Sequence, residues 1–380
     1  MLKSHTVRHP LRVLRFVVTG LALLTTSVSQ LAVADPLIQQ FLLQELSPAA
    51  AGESSTNKPP MAAAAQDPLH EVQKSMVAVK ASISNIARTA ASFGLERQGN
   101  GIIIDANGLI VTAGYVIAEA SSLTVTFSDA TTVAAEIIAY DESIGLGLIR
   151  AQTSIPTTPI KLGDSAKLKV NERALILPAL GEGDAKPVQI GKLKQFTGGW
   201  EYVLDNAIHT YPPSTSFSGA ALLSDKAELL GVGALVTIDI DIDPKVRVPG
   251  NIFIPVNTLT GVLGELMVAG RSSESIRPWL GLELKETKRG IVVGAVTNDG
   301  PASQSGIKAG DVVVAVDQAK VSGLTQLYRK IWTDFEPGEQ IHLLILRDSQ
   351  YANVPVASVD QQEWLKLEQN RDTAITELTK

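Results

Sequence analysis

A mainly β chain of two folded units, set behind a leader and a linker, is what this sequence predicts. Three observations carry that reading. Hydrophobic residues make up 45% of the 380 and charged residues 19%, with 30 Gly and 19 Pro, a balance that suits short strands and many turns better than a helical bundle. From about Val72, β-branched or alternating runs recur between Asn-Gly, Gly and Pro breaks: "GIIIDANGLIVTAG", "SLTVTFSDATTVAAEIIAYD", "LGLIRA", "RALILPA" and "ELLGVGALV". Runs at this spacing predict an antiparallel barrel or sandwich. The length exceeds one compact core, and the strand texture stops at a helical stretch near Val256 and restarts near Arg277.

In chain order, residues 1–34 come first. Lys3, Arg8, Arg12 and Arg15 precede the apolar run "FVVTGLALLTTSV", and "LAVA" places small residues before Asp35. That pattern predicts a secretory signal peptide cleaved after Ala34, with no membrane span once it is removed. A retained anchor is the other reading, although the run falls short of the roughly 20 apolar residues of a span. Four of the 33 basic residues and none of the 39 acidic ones leave with the leader, so the mature chain carries a net charge of −10. Such a surface offers nothing to nucleic acid. The chain has no cysteine, which suits an oxidising compartment such as the periplasm and excludes thiolate chemistry. His70, His209 and His342 are too far apart in sequence for a metal-ligand spacing, and nothing calls for a cofactor.

Residues 35–71 form an N-terminal segment and linker. Within them "DPLIQQFLLQEL" (35–46) reads either as an amphipathic helix or as a loosely attached tail, and the Ala-, Ser- and Pro-rich stretch that follows buries too little to order itself. The first folded unit spans 72–268 and closes on a helix with Val256, Leu259, Val262, Leu263 and Leu266 at helical spacing. The second spans 277–359, with strands "GLEL", "IVVGAV", "DVVVAV" and "IHLLIL" and a helix around Leu324–Ile331. A polar helical tail, 360–380, ends the chain either docked or frayed.

Five stretches, "GNGIIIDANGLIVTAGYVI", "LGDSAKLKV", "SFSGAAL", "NIFIPVN" and "RPWLGLEL", resemble in order the landmarks of the HtrA/Deg family, exported trypsin-like serine proteases with a C-terminal PDZ domain. The resemblance covers roughly 72–359. It implies a trypsin-like double six-stranded β-barrel followed by an α+β PDZ domain, with the catalytic groups at the junction of the barrels. It also implies a homotrimer assembled through N-terminal elements, for which 35–46 is the candidate.

The same resemblance places three catalytic positions. The family's histidine, which follows a threonine and two small residues, falls on Tyr115. Its aspartate, which opens a short apolar strand, falls on Gly145 at the head of "GLGLIR". Its nucleophile falls on Ser218, in a turn where Ser216 and Ala220 replace glycines. The oxyanion-hole donors of the family map to the N–H groups of Ser216 and Ser218. A serine hydroxyl needs a neighbouring base to take its proton, and a phenol with a pKa of about 10 is no such base at neutral pH. An aspartate without an imidazole to orient would be a costly buried charge, so Gly145 reads as what relaxed constraint leaves. Ser216 before the bulky Phe217 predicts a collapsed or re-aimed oxyanion hole. His209 and Lys226 are the substitute bases in the neighbourhood; the first reads as a loop histidine and the second as a solvated turn residue.

In the second unit Trp279, Leu280, Gly281 and Leu282 match the loop whose N–H groups hold a peptide's C-terminal carboxylate while the peptide adds as a strand. Leu324 and Tyr328 are candidates for the facing groove wall, and Leu327 and Ile331 read as core. The implied partners are peptide or protein C-termini and unfolded proteins. Three functions stay open: a catalytically silent adaptor, scaffold or chaperone; a serine endopeptidase with a non-standard site at Ser218; and a structural assembly subunit.

Overall fold

The structure, a computed structural model, describes residues 68–153, 157–243 and 246–366. The leader, the 35–46 segment expected as a helix or tail and as the trimer candidate, nearly all of the linker and most of the polar tail lie outside the described residues.

Helix α1 (Pro68–Gln73) leads into the first barrel. Its strands are β1 (Met76–Ile83), β2 (Glu96–Ile103), β3 (Leu109–Ala113), β4 (Ala120–Thr126), β5 (Thr132–Asp141) and β6 (Leu146–Ala151). Short helices α2 (Ala90–Phe93) and α3 (Gly114–Ile117) interrupt them. The barrel closes in the order β1-β2-β3-β6-β5-β4. The second is built from β7 (Arg173–Leu177), β8 (Lys186–Gly198), β9 (Tyr202–Tyr211), β10 (Ala221–Leu223), β11 (Leu229–Asp243) and β12 (Val246–Pro255), closing as β10-β11-β12-β9-β8-β7.

Strand alternation decides what each barrel side chain meets. On β1, Val77, Val79, Ala81 and Ile83 fill the first barrel. On the other face Met76 joins a core shared by both barrels, with Leu146 and Leu148 from one and Leu223, Val232 and Ile252 from the other. Strand β3 is buried at every position because it has a core on each side: Ile110 points into the barrel, Leu109 and Val111 into the shared core. That is why it reads as a continuous apolar run. Helix α4 (Val256–Ala269) closes the body; Val256, Leu259 and Leu266 are buried in the shared core, with Val262 and Leu263 packed on it.

The second unit begins with β13 (Pro278–Trp279), then β14 (Leu282–Thr287), β15 (Gly290–Val296), α5 (Pro301–Gln304), β16 (Val312–Val316), β17 (Ala319–Lys320), α6 (Leu324–Asp334), β18 (Gln340–Arg347), β19 (Gln350–Ala357) and β20 (Val359–Asp360). The six-stranded sheet runs β14-β15-β16-β18-β19 with β17 beside β16, and α6 buries Leu324, Leu327, Tyr328 and Ile331 against it. The tail opens with α7 (Gln361–Leu365), which docks on the first barrel: the Gln362 side chain donates to the Tyr140 carbonyl at 2.8 Å and to Glu142 at 2.7 Å. Trp364 packs on Trp279, ring centres 4.7 Å apart. Two six-stranded barrels followed by an α+β sheet domain is the architecture expected from the sequence.

Candidate functional site

Ser218 lies in the turn between β9 and β10, facing β2 of the other barrel. Asn100, a buried polar residue between Gly99 and Gly101 on β2, fastens the turn. Its backbone N–H and its side-chain amide each donate to the Ser218 carbonyl at 2.8 Å, and its side-chain oxygen accepts from Ala179 N–H at 2.7 Å. The Asn100 carbonyl in turn accepts from the Thr112 hydroxyl at 2.7 Å. Gly219 adopts φ +70°, and a Cβ there would overlap the Asn100 carbonyl oxygen, so this glycine is required by the close approach of two backbones.

The turn brings Ser218 to Tyr115. The Ser218 hydroxyl is buried and makes no hydrogen bond of ordinary geometry among the described residues. The Tyr115 phenol lies close enough for Ser218 to favour its ionised form a little, but burial dominates and pushes it up to about 12. At neutral pH the phenol is therefore a donor with no proton-accepting capacity as a base. The backbone under Tyr115 is held by Arg97, which is 2% exposed and donates to the carbonyls of Tyr115 and Ala118 at 2.8 Å each. Phe93 stacks on the Tyr115 ring at 5.9 Å.

Gly145 sits beside this pair, its carbonyl accepting from Gly114 N–H at 2.9 Å. Gly145, expected as what relaxed constraint leaves, takes a conformation that favours glycine. Its φ is +76°, and a Cβ would come 3.0 Å from the Tyr202 hydroxyl, which donates to the Ile144 carbonyl at 3.1 Å. The left-handed backbone and the nearby Tyr202 hydroxyl together favour a glycine there.

The donors of the serine turn are also redirected. Ser216 N–H donates to the Ser214 hydroxyl at 3.3 Å, and the Ser216 hydroxyl to the Glu182 carbonyl at 2.5 Å. Ser214 is itself pinned by Asn251, which accepts from its N–H at 2.7 Å and donates to its carbonyl at 3.0 Å. The first oxyanion donor is thus spent inside the loop. His209 does not lie in a loop: it is on β9, paired with Ile252, among Lys192, Lys194 and Asp239. Burial, helped by the two lysines, holds its imidazole down to about 4, so it stays neutral. Lys226 is exposed in its turn.

The Trp279–Leu282 loop converges its donors as a carboxylate site requires, and a carboxylate is there. Glu201, in the tight turn between β8 and β9, accepts from Leu280 N–H at 3.1 Å, Gly281 N–H at 2.8 Å and Leu282 N–H at 3.0 Å. It is 5% exposed, and burial raises its carboxyl to about 7 against the opposing pull of the three N–H groups and Arg277. Tyr328 donates its hydroxyl to the Gly199 carbonyl at 2.8 Å, while Leu324 contributes its N–H to Glu286 at 2.6 Å. Leu327 and Ile331, expected as core, belong to the core and also line the narrow apolar hollow beside Glu201.

Residues 99–232 match the family model of the trypsin-like peptidase domain, and residues 278–357 that of the PDZ domain. This chain is an HtrA/DegP-like serine protease homologue with a PDZ domain. A probable periplasmic serine endoprotease, DegP-like, of Rickettsia conorii is 24% identical over 83% of this chain and 64% of its own length. The periplasmic serine endoprotease DegP of Escherichia coli K12 is 25% identical over 67% of this chain and 56% of its own length. The chain thus spans less than two thirds of the length of these relatives. A solved HtrA-type protease, AlgW with decapeptide, is 20% identical with a TM-score of 0.45, covering 77% of this chain and 97% of its own.

Within this HtrA-like body, Asn100, Tyr202 and Glu201 had no place in the sequence reading. Asn100 left one signal, a polar residue between glycines in an apolar strand. Glu201 left none, since its partners are about eighty positions away.

Proposed function

We propose that this HtrA-like chain is exported to the periplasm and holds polypeptide without cutting it, serving as an adaptor, scaffold or chaperone. One observation carries the reading: the group facing Ser218 is a phenol, half-buried and stacked on Phe93, that keeps its proton at neutral pH. A serine without a base loses on the order of 10⁴ to 10⁶ in turnover. The remaining route to residual activity, the oxyanion hole, has its Ser216 donor turned to Ser214. The PDZ domain supplies the polypeptide-binding half of the proposal, through peptide or protein C-termini and exposed segments of unfolded proteins. Periplasmic location is supported by the leader's pattern and by the names of the relatives. Among the described residues no helix is long and apolar enough to cross a membrane.

The test is labelling of the purified mature protein with a fluorophosphonate probe beside Ser218→Ala. The expected result is background labelling of both. Labelling that disappears in Ser218→Ala would establish an activated serine and a working endopeptidase.

A further inference from the structure

The PDZ loop and the catalytic corner are touched by two consecutive residues of one hairpin. The turn Gly199–Glu201 meets β14 through one backbone hydrogen bond and one side-chain carboxylate. Leu284 N–H donates to the Gly199 carbonyl at 2.7 Å, and two residues back on β14 Leu282 N–H donates to the Glu201 carboxylate, two residues forward on the segment. The first bond is of the kind an antiparallel neighbour makes, and the second ends the segment on a carboxylate held by the loop N–H groups. The carboxylate at the end of this segment belongs to a side chain, so the main chain continues into β9 where a bound peptide would stop. Glu201 takes up φ +59° to do this, a left-handed conformation that costs a non-glycine residue free energy and is held by its surroundings. Its own carbonyl accepts from Arg277, whose guanidinium lies 3.7 Å over the Trp332 ring. The flanks of the hairpin add Thr197 against Thr325 at 2.6 Å and Asp205 against Arg329 at 2.8 Å.

We infer that Glu201 is an internal ligand of the PDZ domain, and that a free C-terminus enters the groove only by displacing the Gly199–Glu201 hairpin tip. The next residue, Tyr202, occupies the corner at Gly145, so displacement pulls on the packing beside Ser218 as well. The inference rests on the peptide-holding reading above. Its ligand chemistry is a chain end with a free α-carboxylate and an apolar last side chain, since the hollow beside Glu201 is walled by Leu280, Leu282, Leu327 and Ile331.

The experiment uses the full mature chain and a fluorescein-labelled pool of random hexapeptides ending in Val, with free and with amidated C-termini, followed by polarisation. Wild type, Glu201→Gly and Glu201→Gln are compared with Glu172→Gln, an exposed carboxylate ahead of β7 and away from the groove. Glycine suits the left-handed backbone, so Glu201→Gly keeps the hairpin while removing the plug. It should bind the free-carboxylate pool at least ~10-fold more tightly than wild type and ignore the amidated pool. Glu201→Gln should fall between, and Glu172→Gln should match wild type. Equal binding by wild type and Glu201→Gly, or none by either, would overturn the inference. Amide exchange at Leu280, Gly281 and Leu282 gives a reading without peptide: protection in wild type and its loss in Glu201→Gly, with β18 unchanged, is expected. Protection already absent in wild type would also overturn it. Fluorophosphonate labelling reports the silent-protease reading separately, so the two can fail independently.

Discussion

At Ser218 and at Trp279–Leu282 the chain presents backbone N–H groups in the manner of an anion site, and the two have met different fates. In the serine turn the Ser216 donor points back to Ser214, and the side chains that would generate an anion there are a phenol and a glycine. In the PDZ loop three donors still converge, on a carboxylate supplied from within the chain. The contrast teaches that the serine turn is tied down independently of any chemistry at Ser218. Asn100, Gly219 and Asn251 hold it, because the same turn joins the two barrels.

Gly219→Ala should have the largest effect. Its Cβ would overlap the Asn100 carbonyl, and φ +70° is unfavourable to alanine, so a loss of about 3–4 kcal/mol is expected. Urea denaturation of the mature chain measures it. A loss under about 1 kcal/mol would mean that the turn is slack and that the contrast with the PDZ loop is misdrawn.

Gly145→Asp should cost less, about 2 kcal/mol, from φ +76° and the 3.0 Å approach to the Tyr202 hydroxyl. The substitution sharpens the comparison, because it tests whether the catalytic corner is empty or taken. Tyr115→His together with Gly145→Asp should give a less stable protein that labels with fluorophosphonate poorly, since Tyr202 obstructs the carboxylate that would orient the imidazole. Full stability with brisk labelling would show that Tyr202 moves aside freely.

The strands and the helix α4 were legible because they depend on local periodicity, alternation on β1, helical spacing from Val256 and turn residues between runs, whereas the two barrels and the PDZ sheet were implied by the family resemblance. Tyr115 was assigned through an ungapped match from Gly99 to Ile117, and Ser218 through the altered turn "SFSGA". What could not be read was any pairing fixed by the third dimension. "GGWEY" looks like a polar hairpin tip, and nothing near it announces a ligand for a loop eighty residues on. The left-handed φ of Gly145 and its neighbouring tyrosine leave no trace in the sequence. His209 sat in a Pro- and Ser-rich stretch that suggested a loop, while its strand is set by pairing with β8 and β12.

The mildest way to separate the regions is pH, because their buried groups titrate in opposite senses. His209 is held down to about 4 among Lys192, Lys194 and Asp239, so the unfolded chain binds a proton there that the native barrel refuses. Stability from this group is present above its ordinary range near 6.5 and is lost as pH falls, on the order of 2 kcal/mol between about pH 7.5 and pH 5. Glu201 is raised to about 7, facing Arg277 and the Tyr328 hydroxyl, and Glu142, on the other side of Arg277, is raised to about 7 as well. A carboxyl whose bound form holds its proton more tightly favours docking at low pH, and that advantage drains away as pH rises from about 4.5 through about 7. Amide exchange corrected for intrinsic rate should therefore slow at Leu280–Leu282 on acidification while it quickens in β9 and β12. Both regions moving the same way would mean that the hairpin and the barrel open as one unit, and Glu201 would then be a structural strut and not a displaceable ligand.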